Sequence, residues 1–288
     1  MNIAVLGLGI IGRIWAGHLA ADGHRVRCWN RTPKDAPGFC ASVCEAVVGA
    51  EAILVVVADP PAVRSVLDRI LPEIGPGQII LQSSTISAQW SRLFARQVQE
   101  TGAIFAEVPF TGSKPAAEQR KTVFYLGGGP EVLEKARPVL GPLSSEILYI
   151  GEIGSASTLK LAMNLNIAGI AQALCESLSL CRGSGISDEV YFKALSLNAS
   201  RSGLSDLKEP RLRCCDYSPQ FSLKHMGKDL RLALETAEAL NLRLIQTKLL
   251  TKLYEEGMAA GWAEDDFIGL MRLLDREPSH SPSEGGKS

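Results

Sequence analysis

A lysine and an asparagine one helical turn apart are the residues of this chain best suited to acid–base chemistry. Lys160 and Asn164 lie within residues 151–180, where apolar residues recur every three or four positions, the period of an α-helix. This spacing places both side chains on one face. A helix that is apolar on most sides is buried, and an unpaired buried charge is very costly. Lys160 is therefore either a snorkelling or salt-bridged lysine, or a group that transfers protons.

A glycine-rich turn near the N-terminus indicates a dinucleotide site. An apolar strand pattern at residues 2–6 is followed by G-x-G-x-x-G, a helical pattern to about residue 22 and a strand pattern at 25–29. The glycines permit a tight turn, a close approach to a pyrophosphate and close helix–strand packing, while the free N–H groups at the helix start favour an anion. The predicted cofactor-binding residues are Gly7, Leu8, Gly9, Ile10, Ile11 and Gly12.

The residues after the second strand predict which cofactor binds. NAD sites usually place a carboxylate there for the ribose hydroxyls. This chain instead has Asn30, Arg31 and Thr32. Arginine attracts a 2′-phosphate and binds it with two hydrogen bonds, whereas a carboxylate would repel it. The sequence therefore predicts NADP(H), and the alternative is a solvated arginine in an ordinary strand–helix loop.

Strand and helix patterns alternate along residues 1–151, which predicts a mostly parallel sheet. Further strands are expected at 53–58, 78–81, 103–107, 122–126 and 146–150. Ligands of open α/β sheets bind at the carboxyl ends of the parallel strands. The residues predicted to line that crevice for the cofactor are Ala58, Asp59, Ser84 and Thr85. For Ser84 and Thr85, the alternative is helix capping.

A loop of small and hydroxylated residues follows the strand that ends at Glu107. Thr111, Gly112 and Ser113 offer two hydroxyls and exposed N–H groups, which suit a small carboxylate. An ordinary turn is the alternative. This segment completes the list of polar groups expected along one edge of the sheet.

The second part of the chain is helical by period. We expect a long helix at about 155–182 and a helical substrate and oligomerisation domain over 152–276, after a cofactor domain over 1–151. Further helices are expected at 223–240, 245–256 and 265–275, and residues 277–288 form a polar tail of low complexity that is expected to be disordered.

Composition excludes several function classes. The net charge of −1 gives no footprint for nucleic acid or anionic membranes. The longest strongly apolar run, residues 53–58, is far too short to cross a bilayer, and no signal-peptide pattern begins the chain. The seven scattered cysteines fit free thiols in a reducing cytoplasm, and no histidine or cysteine spacing predicts a metal site.

Four blocks of the sequence together resemble the β-hydroxyacid dehydrogenase family, which includes 3-hydroxyisobutyrate dehydrogenase and the glyoxylate/succinic semialdehyde reductases. The blocks are GLGIIG, VPFTGSKPAAEQ, KLAMN and KDLRLAL. The run FSLKHMGKDLRLAL looks most like the glyoxylate/succinic semialdehyde reductase branch. The resemblance implies an α/β Rossmann domain, a long interdomain helix and an all-α C-terminal domain, in a homodimer or homotetramer.

The resemblance also implies roles for residues. Lys160 falls on the family's catalytic lysine and Asn164 on its partner, while Lys228 and Asp229 fall on the pair that reaches the nicotinamide region. Thr111, Gly112 and Ser113 would bind the substrate carboxylate, and Phe221 would close the apolar side of the pocket. The implied reaction is reduction by NADPH of a small carboxylate-bearing aldehyde or keto acid, or the reverse oxidation of a hydroxy acid, with Lys160 as general acid or base.

Some residues depart from the family pattern. Thr111 stands where serine is usual, Phe110 where a smaller valine is usual, and Trp15 where methionine is common. Gln82 replaces the aspartate usual before the Ser-Thr turn. These departures concern the size of the substrate rather than the chemistry.

Two other functions fit parts of the same pattern. An imine reductase of this fold generally replaces the catalytic lysine, so Lys160 argues against it. A non-catalytic NADP-binding interaction protein is the second alternative, and relatives with such roles have lost the lysine. A 6-phosphogluconate dehydrogenase would need a larger helical domain than this chain provides.

Overall fold

The computed structural model describes residues 1–274, and the predicted disordered tail at 277–288 lies outside them. The chain divides into two compact units. The first comprises Met1–Leu165 with Lys228–Lys248, and the second comprises Asn166–Gly227 with the chain from Leu249 onward. The start of the long helix and the segment 228–248 thus belong with the first unit, so the domain limits expected at residue 151 stay a prediction.

The first unit is built on an eight-stranded sheet. Its strands are β1 (Asn2–Leu6), β2 (Arg25–Trp29), β3 (Ala52–Val55), β4 (Ile79–Gln82), β5 (Ile104–Glu107), β6 (Phe110–Thr111), β7 (Thr122–Gly127) and β8 (Ser144–Gly151). The order in the sheet is β2-β1-β3-β4-β5-β7-β6, with β8 also paired to β7. The first five strands of this order are parallel, β7 runs antiparallel to β5 and β6, and β8 is parallel to β7.

Helices cover both faces of this sheet because its strands are apolar on both sides. In β1, for example, Ile3 and Val5 join one buried cluster while Ala4 and Leu6 join the other. The helices that follow the strands are α1 (Ile10–Ala21), α2 (Val43–Val47), α3 (Pro60–Ile70), α4 (Ala88–Gln99), α5 (Lys114–Glu118) and α6 (Val132–Leu140). Burial on two faces is typical of parallel sheets.

The long helix α7 (Ser155–Gly183) begins in the first unit and continues into the second. It is followed by α8 (Asp188–Ser196), α9 (Gly203–Arg213), α10 (Leu223–Ala239), α11 (Ile245–Ala259) and a 3₁₀ helix, Phe267–Leu273. In the first unit, Leu161 and Leu165 of α7 pack with Leu232 and Ala233 of α10. This packing brings Asp229 of α10 beside the catalytic candidates on α7.

The fold class predicted from the sequence is confirmed: a mostly parallel Rossmann-like sheet precedes a helical C-terminal region. The prediction of an α-helix at 265–275 is wrong in type. The structure has a 3₁₀ helix at Phe267–Leu273, and Asp266 caps it by accepting the Ile268 N–H. The sequence patterns did not indicate the two-residue strand β6 or the five-residue helices α2 and α5. Elements this short leave too few residues to display a period.

Candidate functional site

The glycine turn has the backbone that its motif requires. Gly7 has a φ of +110°, and a Cβ added there would lie 2.1 Å from the Val56 carbonyl oxygen. A Cβ at Gly12 would lie 2.0 Å from the Gly7 oxygen, so α1 packs directly against the turn. A Cβ at Gly9 would meet nothing within 4 Å. The first and third glycines therefore permit packing within the protein, whereas the second leaves its side of the turn open.

The start of α1 fits the pyrophosphate of a dinucleotide. Gly9 is the N-cap of this 12-residue helix and supplies no side-chain hydrogen bond to it. The first N–H groups of a helix have no partner within the helix, and they and the helix dipole favour an anion. Gly9 and Ile10 are exposed at this point. Residues 7–12 would therefore hold an NAD(P) cofactor by its phosphates.

Asn30 bonds the backbone on both sides of the predicted cofactor site. Its Oδ1 accepts the Leu8 N–H at 2.9 Å, and its Nδ2 donates to the Thr32 carbonyl at 2.7 Å. The amide thus connects the glycine turn to the loop after β2. The side chains of Arg31 and Thr32 are exposed next to this turn, and their predicted contact with the cofactor stays a prediction.

In the loops after β3 and β4, polar side chains form hydrogen bonds with nearby backbone groups. The Ser84 hydroxyl accepts the Val57 N–H at 2.8 Å, and the buried Gln82 amide both donates to the Ser84 carbonyl and accepts its N–H. Asp59 caps α3 by accepting the Ala62 N–H at 2.8 Å. Ala58, just before it, is exposed.

The structure assigns helix capping in this region to a different serine. Ser87, rather than Ser84 or Thr85, caps α4. Ser84 instead fixes the loop after β3, and the Thr85 carbonyl accepts a hydrogen bond from Lys228.

A continuous series of polar contacts runs from Lys160 to the loop after β4. Its Nζ donates to Asn164 Oδ1 at 2.9 Å, and Asn164 Nδ2 donates to Asp229 Oδ2 at 2.6 Å. Asp229 Oδ1 lies 2.8 Å from Lys228 Nζ, which in turn donates to the Thr85 carbonyl at 2.8 Å. Lys160, Asn164 and Asp229 are buried. The structure thus brings together the predicted catalytic pair, the predicted Lys-Asp pair of α10 and the loop after β4.

This arrangement shifts the proton affinity of the lysine. Burial, which disfavours the charged form, lowers the pKa of Lys160 to about 8. The Asp229 carboxylate opposes this shift and the Lys228 ammonium adds to it. A pKa near the working pH lets one group donate and accept protons, as general acid–base catalysis requires.

The reduction rate should therefore depend on the protonation of Lys160. We expect kcat/KM for carbonyl reduction to be constant below about pH 8 and to fall about tenfold per pH unit above it, because only the ammonium donates a proton. Asp229→Asn removes the charge that favours the ammonium, so the falling limb should move to lower pH. A pH series on both enzymes measures this, with exposed Asp68→Asn as the control. A limb that stays in place in Asp229→Asn would contradict the assignment.

The loop predicted to bind the substrate carboxylate follows β6. Phe110 is half-buried, and its ring centroid is 5.9 Å from Lys160 Nζ. Gly112 has a φ of +101°, which permits the sharp turn after Thr111. Burial raises the pKa of the Tyr125 phenol, and its hydrogen bond with the Thr111 side chain opposes that shift. Ser113 is half-buried and makes no side-chain cap to α5.

Phe221 belongs to the second unit. Its N–H donates to Asp266 Oδ2 at 3.3 Å, and its ring centroid is 6.1 Å from the rings of His225 and Phe267. Asp266 is itself fixed by a buried ion pair with Lys208, Nζ to Oδ1 2.7 Å. The Phe221 backbone is thus held firmly, while its predicted contact with substrate stays a prediction.

Glu107 supports the site, and no sequence pattern pointed to it. Its buried carboxylate at the end of β5 accepts hydrogen bonds from the N–H groups of Gly154, Ala156 and Ser157 at 2.8, 2.8 and 3.3 Å. It also accepts the hydroxyls of Ser91 at 2.5 Å and Ser157 at 2.6 Å. Glu107 therefore ties the start of α7, the helix that carries Lys160, to the edge of the sheet where the strands end.

Comparison with known families assigns the chain. Residues 2–151 match the family described as the NAD binding domain of 6-phosphogluconate dehydrogenase, and residues 154–274 match the one described as NAD-binding of NADP-dependent 3-hydroxyisobutyrate dehydrogenase. The chain belongs to the β-hydroxyacid dehydrogenase family. Members of this family are NAD(P)-dependent hydroxyacid dehydrogenases, so the chain is an NAD(P)-binding oxidoreductase of this class.

Individual members of the family resemble the chain over nearly all of its length. Glyoxylate/succinic semialdehyde reductase 2, chloroplastic, of Arabidopsis thaliana is 28% identical over 95% of this chain and 79% of the relative. The structure of Mycobacterium tuberculosis 3-hydroxyisobutyrate dehydrogenase with L-serine superposes with a TM-score of 0.87 at 25% identity, over 95% of this chain and 99% of that one.

An imine reductase is a more distant structural neighbour. The enzyme of Streptomyces aurantiacus reaches a TM-score of 0.64 at 18% identity, over 96% of this chain and 100% of its own, which shows a shared fold alone. Along residues 1–274, no helix is long and apolar enough to cross a membrane.

Proposed function

We propose that this β-hydroxyacid dehydrogenase is an NADPH-dependent reductase of small aldehydes and 2-oxo acids that carry a carboxylate, with glyoxylate and succinic semialdehyde as the first candidates. The observation that supports this proposal is the buried Lys160–Asn164–Asp229 chain, in which the ammonium has a pKa of about 8. Similarity to the Arabidopsis reductase supports the choice of substrates.

The residues of the first unit divide the work of such a reaction. When bound, NADPH would supply the hydride for the carbonyl carbon. Lys160 donates a proton to the carbonyl oxygen and places a positive charge beside the developing alkoxide. Asn164 holds the ammonium by accepting its hydrogen bond, and Asp229 holds the Asn164 amide in the orientation that makes this possible. Thr111, Gly112 and Ser113 bind the substrate carboxylate. In the reverse direction, neutral Lys160 accepts the proton of a hydroxyl group.

A substrate panel with purified protein tests this function. We expect consumption of NADPH with glyoxylate or succinic semialdehyde and none with cyclic imines of similar size. Turnover of imines alone would favour the imine reductase alternative, which the presence of Lys160 argues against. Tight binding of NADPH without turnover of any aldehyde or keto acid would favour a non-catalytic role.

The preference for NADPH is proposed to depend on Arg31. Its exposed guanidinium follows β2 where NAD enzymes usually carry a carboxylate, and the family over residues 154–274 is described as NADP-dependent. Hydrogen bonds to charged groups are worth about 1.5–3 kcal/mol, so we expect Arg31→Ala to lower kcat/KM for NADPH by roughly 10- to 100-fold and to leave NADH nearly unchanged. Arg25→Ala, at the opposite end of β2, is the control. A wild-type preference for NADH would refute the proposal.

We further propose that the protein forms a homodimer or homotetramer. In the second unit, Leu180 of α7, Val190 of α8 and Leu197 at the end of α8 are 73%, 60% and 78% exposed. Exposed apolar surface of this kind is typical of sites of association between subunits. Sedimentation analysis measures the mass directly, and a monomer at working concentration would overturn this proposal.

A further inference from the structure

Phe110 is the bulky apolar side chain beside the proposed proton donor. Its ring centroid is 5.9 Å from Lys160 Nζ, and it directly precedes Thr111, the first residue of the carboxylate-binding loop. Its backbone is fixed because β6 pairs with β7, with Phe110 opposite Phe124. A substrate held between the loop and the lysine therefore has this ring as a neighbour.

Two further rings prevent Phe110 from moving back. Trp15 of α1 meets Phe110 edge-on with centroids 4.8 Å apart, and Phe124 lies 5.1 Å from Trp15 and 6.3 Å from Phe110. Trp15 and Phe124 have no exposed surface. Protein interiors are packed as tightly as organic crystals, so a ring backed in this way cannot recede without displacing its neighbours.

The indole of Trp15 is held by packing alone. Within residues 1–274, its Nε1–H has no hydrogen-bond partner, although it is fully buried. An unpaired buried donor is unfavourable, so hydrogen bonding does not account for tryptophan at this position. What the side chain contributes is its size and its edge contact with Phe110.

We propose that Phe110, held in place by Trp15, limits the length of the substrate's carbon chain and makes the enzyme selective for the shortest aldehydes. This inference rests on the proposed function and names the residues that determine specificity within it. Glyoxylate, in which the carboxylate is bonded directly to the aldehyde carbon, fits beside the ring. Succinic semialdehyde carries two additional methylene groups that must occupy the space filled by Phe110.

The selectivity ratio isolates this effect from the chemistry. Both aldehydes use the same hydride and the same Lys160 proton, so any change in the pKa of Lys160 affects both rates equally. One methylene in an apolar pocket changes specificity by roughly 10- to 200-fold. We therefore expect Phe110→Val to raise the ratio of kcat/KM for succinic semialdehyde to kcat/KM for glyoxylate by at least about tenfold.

A double-mutant cycle tests the role of Trp15. Trp15→Met should shift the same ratio in the same direction by a smaller factor, and it should add nothing in the Phe110→Val background, because it acts only through the position of that ring. If Phe110→Val does not fold, Phe110→Leu and Trp15→Phe are the milder pair. Circular dichroism and NADPH titration confirm that each variant is folded and binds cofactor.

Phe105→Val is the matched control, because it makes the same substitution at a buried position in the other core cluster. Its ratio should equal that of the wild type. An unchanged ratio in active Phe110→Val and Phe110→Leu enzymes would overturn this inference and leave the proposed function intact. Wild-type enzyme inactive with both aldehydes would instead overturn the proposed function, and this inference with it.

Discussion

Replacement of Lys160 by alanine is expected to abolish most turnover while leaving NADPH binding intact. Removing a general acid costs roughly 10²–10⁴-fold, and removing the positive charge beside the developing alkoxide adds to that loss. We therefore expect kcat for glyoxylate reduction to fall by at least about a thousandfold. Steady-state kinetics measure kcat, and fluorescence titration measures the Kd for NADPH.

The loss in Lys160→Ala should be specific and partly reversible. A small primary amine added to the assay can replace the missing ammonium, so methylamine should restore part of the rate in this variant and none in the wild type. Lys193→Ala, at an exposed position on α8, is the control and should keep the wild-type kcat. A Lys160→Ala enzyme with near-full kcat would show that Lys160 is not the proton donor.

Removal of the Glu107 carboxylate is expected to have the largest effect on stability. Alanine at this position leaves three backbone N–H groups and two hydroxyls without their acceptor in a buried place. Each unpaired buried group costs about 1–3 kcal/mol, but the costs do not add fully, so we expect Glu107→Ala to lower the free energy of unfolding by about 3–5 kcal/mol. Urea denaturation followed by circular dichroism measures this value.

Glu107→Gln separates the contribution of the hydrogen bonds from that of the negative charge. A glutamine oxygen could still accept the three N–H groups, and its amide could donate to Ser91 and Ser157, whose hydroxyls can rotate to become acceptors. Glu107→Gln should therefore lose only about 1–2 kcal/mol. Glu100→Ala, at an exposed position, is the control and should change little. If Glu107→Ala were as stable as the control, the carboxylate would not be what anchors α7.

Much of the fold could be predicted because its signals are local. The bounds of β1 and β2 match the expected residues 2–6 and 25–29, and α7 ends within one residue of the predicted 155–182. The glycine turn could likewise be recognised from a strand, a motif and a helix that follow one another in the sequence. These features depend on period and on conformational preferences of neighbouring residues.

The contacts within the site could not be predicted in the same way, because their partners are distant in sequence. Glu107 and the N–H groups of Gly154 and Ala156 are separated by 47 and 49 residues, and Asn164 and Asp229 by 65. Nothing in the local sequence of Glu107 distinguishes a strand-end carboxylate that anchors a helix from one that does not. Only the tertiary structure brings such groups together.

Side chains that form hydrogen bonds with the backbone could not be identified from the sequence either. The position of Asn30 after β2 predicts a ligand for the cofactor and gives no sign that its amide also bonds Leu8 and Thr32. The same holds for Asp59, which caps α3. Short polar side chains often bond nearby backbone groups, and sequence type alone does not separate that role from ligand binding.

Transfer of deuterium tests the central claim most directly. NADPH deuterated at both C4 positions would be incubated with glyoxylate and the wild-type enzyme, and the glycolate product analysed by mass spectrometry. We expect one deuterium in each glycolate molecule, formed at the rate of NADPH consumption, and almost no labelled glycolate with Lys160→Ala in the same time. Unconsumed NADPH and no labelled glycolate with the wild type, or equal labelling by both enzymes, would contradict the claim that Lys160 drives reduction of a carbonyl by bound NADPH.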